Sequence, residues 1–422
     1  MVVTVIDLGE LRDDAPAPGP PARPPRAVGR PFRAAVVLLV ALVTLAAAAP
    51  PPRSAAHRLP GGTGASAFLS GDRVYVVLRT TQRPGWEVVA YREGRERWRA
   101  GMPGTGDVVG LWEQGGRVLA VATGDGEGWE TVAFDAGTGA RRWRRSGFAF
   151  PAGDAVLLRP VGGPGPQSVR RLAVADGRTL WTAPAPDGQD VQFSYGPSGV
   201  ERILLVPNAG RTVVLDAVTG ARLAARNLHP EELPGPRTMQ GTGGLFLEAV
   251  QTSDAGATVN AYELDTLRLR WTVELPLVDH LEQCGGLLCA ARQNGGIRAL
   301  DPGTGAPRWT AERWQSVLRA DAGRLLVATG GTTGDHLAVL DEADGRLVTD
   351  LGDWAVLPQD ESTGRILLTR PLGGGRQLLA EPDLSGGPPV VRDVLTGTDC
   401  RAGTTLLICR QVGGDFTLRR LP

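Results

Sequence analysis

The stretch IRALDPGTGAPRWT, residues 297–310, decides how the rest of the chain is read. The apolar run that ends at Leu300 reads as a strand. Asp301 opens a turn, because a carboxylate there accepts from backbone N–H groups two or three residues on. Gly305 supplies the positive φ that such a turn needs. Trp309 then falls on the outermost strand of the unit, where its ring can wedge between neighbouring sheets. A buried tryptophan is worth roughly 3–5 kcal/mol against alanine.

The same frame recurs along the chain. Copies are VVAYREGRERW (88–98), VAFDAGTGARRW (132–143), LAVADGRTLW (172–181), VVLDAVTGARLA (213–224), NAYELDTLRLRW (260–271) and AVLDEADGRLVT (338–349). A degenerate copy, LLAEPDLSGGPPVV (378–391), follows. The framed residues are Trp98; Asp135, Gly139 and Trp143; Gly177 and Trp181; Asp216 and Gly220; Trp271; Asp301, Gly305 and Trp309; and Asp341 and Gly345. Ala224 and Thr349 stand where two copies lose the tryptophan. Up to Trp309 the framed position recurs every 38 to 47 residues, the length of one four-stranded propeller blade. Two further strands precede each cassette, as in LEQCGGLLCAAR (281–292) and DAGRLLVATGG (321–331).

A lone blade has two apolar faces and open edges, so it must stack on neighbours and close into a ring. The expected fold is therefore an all-β propeller over residues 61–422. Eight cassettes favour eight blades. Seven and nine stay open, because residues 397–422 read as three left-over strands whose fourth the segment 55–61 could supply.

The cassette A-x-D-x-x-T-G-x-x-x-W resembles the repeat of the pyrroloquinoline-quinone (PQQ)-like β-propellers. That family includes quinoprotein alcohol dehydrogenases, the outer-membrane assembly lipoprotein BamB and sensor domains of bacterial kinases. The resemblance covers residues 60–422 and implies the fold, not one activity. Its dehydrogenases stack their cofactor on a disulfide between adjacent cysteines above a Ca²⁺ ion. No Cys-Cys pair occurs here, so the resemblance implies a non-catalytic member, and no cofactor is assigned. BamB is anchored through an N-terminal cysteine, and none precedes Cys284.

Apolar residues make up 42% of the 422 and charged ones 21%. Gly (58) and Pro (33) call for frequent turns rather than long helices. Basic and acidic residues balance at 45 each, so no global field draws the protein to nucleic acid. The Pro-rich residues 1–33 read as a disordered tail. The uncharged AAVVLLVALVTLAAAA (34–49) would span ~24 Å as a helix. It reads as a signal-anchor over residues 34–50, with a cleaved signal peptide as the rival. Arg23, Arg26, Arg30 and Arg33 on its N-terminal side keep the tail in the cytoplasm and export the rest. Residues 51–60 are read as a linker, and VVTVIDLGELRDD (2–14) as a short motif open to a cytoplasmic partner.

Four cysteines allow three pairings. Local disulfides, Cys284 with Cys289 and Cys400 with Cys409, suit an exported chain, each closing a small loop worth roughly 2–3 kcal/mol. Structural zinc is the competing reading, which these spacings fit poorly. His57, His229, His280 and His336 form no metal-ligand pattern, and Ser194, Ser198 and Ser316 lack a nucleophile-elbow context. Trp86, Trp112, Trp129, Trp314 and Trp354 lie outside the cassette frame and either pack internally or line a rim as an aromatic landing surface. The functional expectation is a non-enzymatic extracytoplasmic scaffold that binds an envelope protein or peptide. The alternative is PQQ or another small molecule in the central channel.

Overall fold

The computed structural model describes residues 56–80, 85–103, 106–124, 128–159, 167–185, 189–196, 199–229, 235–330, 335–360 and 364–421, all within the unit Ser54–Pro422. Among them every regular element is a strand. No helix among the described residues is long and apolar enough to cross a membrane. The tail read at 1–33 and the span read at 34–50 lie outside the described residues.

The strands pair as antiparallel meanders of four. The first six cover residues 66–103, 108–146, 148–185, 189–229, 237–276 and 278–311. The third and fourth touch through the pair Ala152–Gly199, and the fourth and fifth through the parallel pair Ser194–Gly241. The seventh begins at Ser316 and ends on the strand Leu347–Val356. The last residues of that strand also open the eighth, which continues through Leu368–Gly373, Arg376–Glu381 and Val390–Thr396. The ninth joins Thr398–Ala402, Leu406–Arg410 and Phe416–Arg420 to the distant strand His57–Leu59.

Nine sheets, not the eight favoured by counting cassettes, are thus present among the described residues. The ninth carries no cassette of its own, because its outer strand comes from the other end of the unit. That strand also moves the start of the ring into the segment read as a linker: His57, Arg58 and Leu59 pair with Leu418, Thr417 and Phe416. The three strands at the C-terminal end need a fourth to cover their edge.

The sheets close a circle. Phe68, Tyr75 and Trp98 of the first meet Leu111, Val118 and Phe134 of the second. A buried cluster follows at each later seam. The last joins Leu59, Ile408, Phe416 and Leu418 of the ninth to Leu69, Val74 and Val76 of the first.

Five seams share one clasp. The Trp98 indole N–H donates across the seam to the Ala136 carbonyl (2.9 Å), Trp143 to Val174 (2.9 Å), Trp181 to Val218 (3.1 Å), Trp271 to Pro302 (2.9 Å) and Trp309 to Glu342 (2.8 Å). Each ring covers the turn glycine of the next sheet. A Cβ on Gly139 would sit 2.5 Å from the Trp98 ring, and one on Gly305 2.5 Å from the Trp271 ring. Glycine is required twice over, since Gly139 also has φ +72° and Gly305 +73°. The turn is held by the cassette aspartate. Asp135 Oδ1 accepts from the N–H groups of Gly137 and Thr138 and from the Thr138 hydroxyl, each at 3.1 Å. Its Oδ2 accepts from Arg142 at 2.8 Å. Arg142 first, then Thr138, hold the Asp135 carboxyl down to about 2.

Where the tryptophan is missing the partner has changed with it. Ala224 ends the fourth cassette, and the fifth carries Leu267 at the glycine position, buried and packed with Ala224. Leu267 keeps the left-handed turn, with φ +54°. That strain costs ~1–3 kcal/mol and is offset by full burial of a leucine, ~1.5–3 kcal/mol. At the closing seam His57 takes the tryptophan's place, its ring against Gly94.

The swap predicts a coupled pair. Leu267→Gly is expected to lower stability by about 2–5 kcal/mol, as large-to-small core changes do, and Ala224→Trp by about 1–3 kcal/mol through overpacking. The double variant should recover at least ~1 kcal/mol of the summed loss, read from urea unfolding midpoints of the full-length chain. Simple additivity would show that the two positions do not form one clasp.

Candidate functional site

The framed tryptophans, aspartates and glycines are occupied by the seams and offer no reactive group to a ligand. Trp98, Trp143, Trp271 and Trp309 are buried, and Trp181 is partly so. Asp216, Asp301 and Asp341 lock their turns as Asp135 does, beneath Gly220, Gly305 and Gly345. Gly177, under Trp143, completes the set.

Cys284 is bonded to Cys289, and Cys400 to Cys409. Each bond ties the first two strands of its sheet, with the sulfurs in the cores of the sixth and ninth sheets' seams. The bonded residues are 5 and 9 apart in sequence, unlike the adjacent pair that supports a quinone in the dehydrogenases. Among the described residues no group of three or more His, Cys, Asp or Glu side chains is arranged to hold a metal ion.

The other histidines go to three different places. His280 contacts Asp279 at 3.0 Å and Glu282 at 3.7 Å; Glu282 first, then Asp279, push its imidazole up to about 9. His336 lies between Asp350 (2.6 Å) and Asp353 (2.7 Å), stacked on Trp314. His229 is buried at the fourth seam, 2.8 Å from both oxygens of Glu248, which has no exposed surface. Arg237 stands 3.7 Å from the same carboxylate. Burial pushes the Glu248 carboxyl above the ordinary range, against the pull of His229. The partner of His229 lies nineteen residues on, on another sheet, and no spacing rule points to it.

The tryptophans outside the frame divide. Trp86, Trp314 and Trp354 are buried; Arg370 lies 4.0 Å over the Trp354 ring. Trp112 and Trp129 are half-buried. Trp129 starts a ladder that sequence reading did not see. Its ring meets Phe148 (5.3 Å between centroids), Phe148 meets Phe150 (4.9 Å), and Phe150 meets Phe193 (4.7 Å). All four are half-buried, and Tyr195, two residues beyond Phe193, is 60% exposed. Trp129 and Phe148 both begin their strands. The ladder crosses three sheets: Trp129 and Phe148 lie at the end of the ring opposite the cassette turns, while Phe193, level with Ile203 and Leu215, reaches the turn end, one residue short of Asp216. The alternation Phe148–Ala149–Phe150 at the start of an innermost strand was the signal available in the sequence. A contiguous aromatic surface with mixed exposure suits recognition of a protein or peptide.

Two concavities lie on the innermost strands. One, of about 400 Å³, is lined by Phe68, Val108, Val109, Asp399, Arg401 and neighbours. The other, of about 800 Å³, is lined by Asp353, Trp354, Thr369, Arg370, Gln377 and Asp399 among others. Their polar groups are of mixed sign, and Arg401 is paired with Asp360 at 2.9 Å.

A protein-family model described as outer membrane protein assembly factor BamB matches residues 43–160. No curated protein sequence matches the chain. Similar solved structures include BamB from Moraxella catarrhalis, 18% identical over 88% of this chain and 97% of that one, with a TM-score of 0.41. The computationally designed protein Ika8 is 14% identical over 76% and 99% of the two chains, TM-score 0.49. The quinohemoprotein alcohol dehydrogenase of Comamonas testosteroni is 13% identical over 67% and 65%, TM-score 0.39. The cassette and the family match are both similar to the PQQ-like β-propeller repeat.

Removing one partner of a buried ion pair costs roughly 3–5 kcal/mol, so His229→Ala is expected to destabilise the ring on that scale. The sign with pH follows from Glu248. A carboxyl held above its unfolded value lends stability below that value and loses it as pH rises. Without His229 it rises further. The deficit in urea midpoint should be larger at pH 7.5 than at pH 4.5, and Glu248→Gln added to His229→Ala should recover most of it. Equal deficits at both pH values would clear the carboxylate of blame.

Proposed function

We propose that this chain is a non-enzymatic scaffold of the cell envelope, held by a signal-anchor at residues 34–50 with its ring outside the cytoplasm, and that it recognises a protein or peptide. The aromatic ladder Trp129–Phe148–Phe150–Phe193 carries this reading. Its four rings stay half-exposed while packing against two seams, and interface cores are enriched in such residues. The family match to an assembly factor supports a partner-binding role. Residues 2–14 remain a motif for a cytoplasmic partner.

A second reading rests on the concavity of about 800 Å³ between the eighth and ninth sheets, where Arg370 over Trp354 would face a flat anionic molecule such as PQQ.

A photo-activated cross-linking residue placed at Phe150 or Phe193 of the full-length chain, in intact cells, tests the first reading. The expected outcome is a discrete protein adduct at both positions and none with the same residue at Asp176, exposed on a cassette turn. Trp129→Ala with Phe150→Ala should lower adduct yield at least tenfold. Adducts of equal yield on the ladder and at Asp176 would overturn the ladder as the recognition surface. Titration of PQQ with Ca²⁺ tests the second: a chromophore shift lost in Arg370→Ala would favour the cavity, and an unchanged spectrum would retire it.

A further inference from the structure

Charge is not spread evenly along the residues that form the ring. Residues 56–230 contain 21 Arg against 16 Asp and Glu, whereas residues 231–422 contain 18 Arg against 25. A chain with no net charge therefore forms a ring with a basic arc and an acidic arc. The basic arc is sharpest on the outermost strands of the first two sheets, Arg95–Pro103 and Arg141–Ser146.

These strands read RERWR and RRWRR around their clasp tryptophans. Arg99 is paired with Glu87 and Glu96, Arg142 with Asp135 and Arg144 with Glu130. Arg95, Arg97, Arg141 and Arg145 are exposed, and none faces a carboxylate among the described residues. Arg97 also lines a small concavity at the seam with Arg73, Arg92 and Trp98. Both strands end their sheets, so each has an outer edge that no other described strand pairs. Trp98 and Trp143 pin the strands to the next sheet, which keeps both edges rigid.

We infer that these two edges form a docking surface for an acidic, extended protein segment, separate from the aromatic ladder. An open edge offers a row of backbone N–H and C=O groups to a strand laid beside it. The four arginines supply the complementary charge for Asp or Glu side chains, through forked hydrogen bonds. Charge alone would serve lipid or nucleic acid as well; the combination with a free strand edge selects a polypeptide. Arginine is also a device for keeping edges from pairing. The outermost strand of the third sheet, Thr179–Ala185, does without any charge, so the ring has no general need of it.

The test uses the full-length chain in detergent micelles and a fluorescein-labelled ten-residue peptide of alternating Glu and Val. Its Lys-Val counterpart, anionic vesicles and a single-stranded oligonucleotide are the comparison probes. The Glu-Val peptide is expected to bind at least tenfold more tightly than Lys-Val at 50 mM salt and to weaken at 500 mM. Arg95→Glu, Arg97→Glu, Arg141→Glu and Arg145→Glu together should lower its affinity at least tenfold, with Arg211→Glu and Arg222→Glu as a neutral control. If the fourfold reversal unfolds the ring, the same four positions changed to Ala give the reading. Affinity unchanged in the fourfold variants would overturn the proposal. So would vesicles or oligonucleotide losing affinity in the same variants as much as the peptide, since the arginines would then be a general anion surface. Self-association of the variants with no peptide binding in the parent would reduce the arginines to edge protection and overturn it too.

Discussion

An indole ring laid on a glycine, with its N–H bonded to a carbonyl two or three residues before that glycine, is the contact on which the ring depends. It needs two residues every time: a glycine that takes a positive φ and leaves room for the ring, and a tryptophan from the sheet before. In four of the five clasps an aspartate also holds the turn, and before Gly177 Ala173 stands in its place. Each sheet therefore supplies one half of two clasps. A sheet in isolation satisfies neither, and cooperativity follows from the geometry: local units gain stability only as neighbours dock.

The contact is also conditional. At the fourth seam tryptophan and glycine are exchanged for alanine and leucine, and the leucine is buried in the seam cluster. At the eighth, Asp393 and Arg419 form an ion pair (3.2 Å) instead. At the closing seam a histidine from the far end of the unit lies on the glycine. What the ring conserves is a filled seam, and the tryptophan is one way of filling it. This is why cassettes are a good guide to the presence of blades and a poor guide to their number. Thr398–Arg420 makes a sheet without a cassette, because its last strand was left behind at residues 57–59.

The fold was legible because the clasp is local in sequence on one side: Asp301, Gly305 and Trp309 lie within nine residues. The cysteine pairs were legible for the same reason, each bond spanning one hairpin. The candidate site was not. Trp129, Phe148 and Phe193 stand on three sheets and meet only after two seams have closed. His229 and Glu248 are likewise brought together by docking of the fourth sheet on the fifth. Periodicity reports which face of a strand is buried, not which buried face meets which.

The clasps occupy one end of the ring, since every cassette turn joins the third and fourth strands of its sheet. At that end the backbone is held by carboxylates and the aromatic rings are covered. The other end carries no such demand. From that end the rings of Trp129, Phe148, Phe150 and Phe193 run along the sheets toward the turns, half-open while packed against two seams. The outermost edges are free in a different sense: their tryptophans are fixed inward, but the arginines between them are not used by the seams. A ring built this way leaves the rim arginines outside the contacts that close it, so substitutions there leave the nine seams intact.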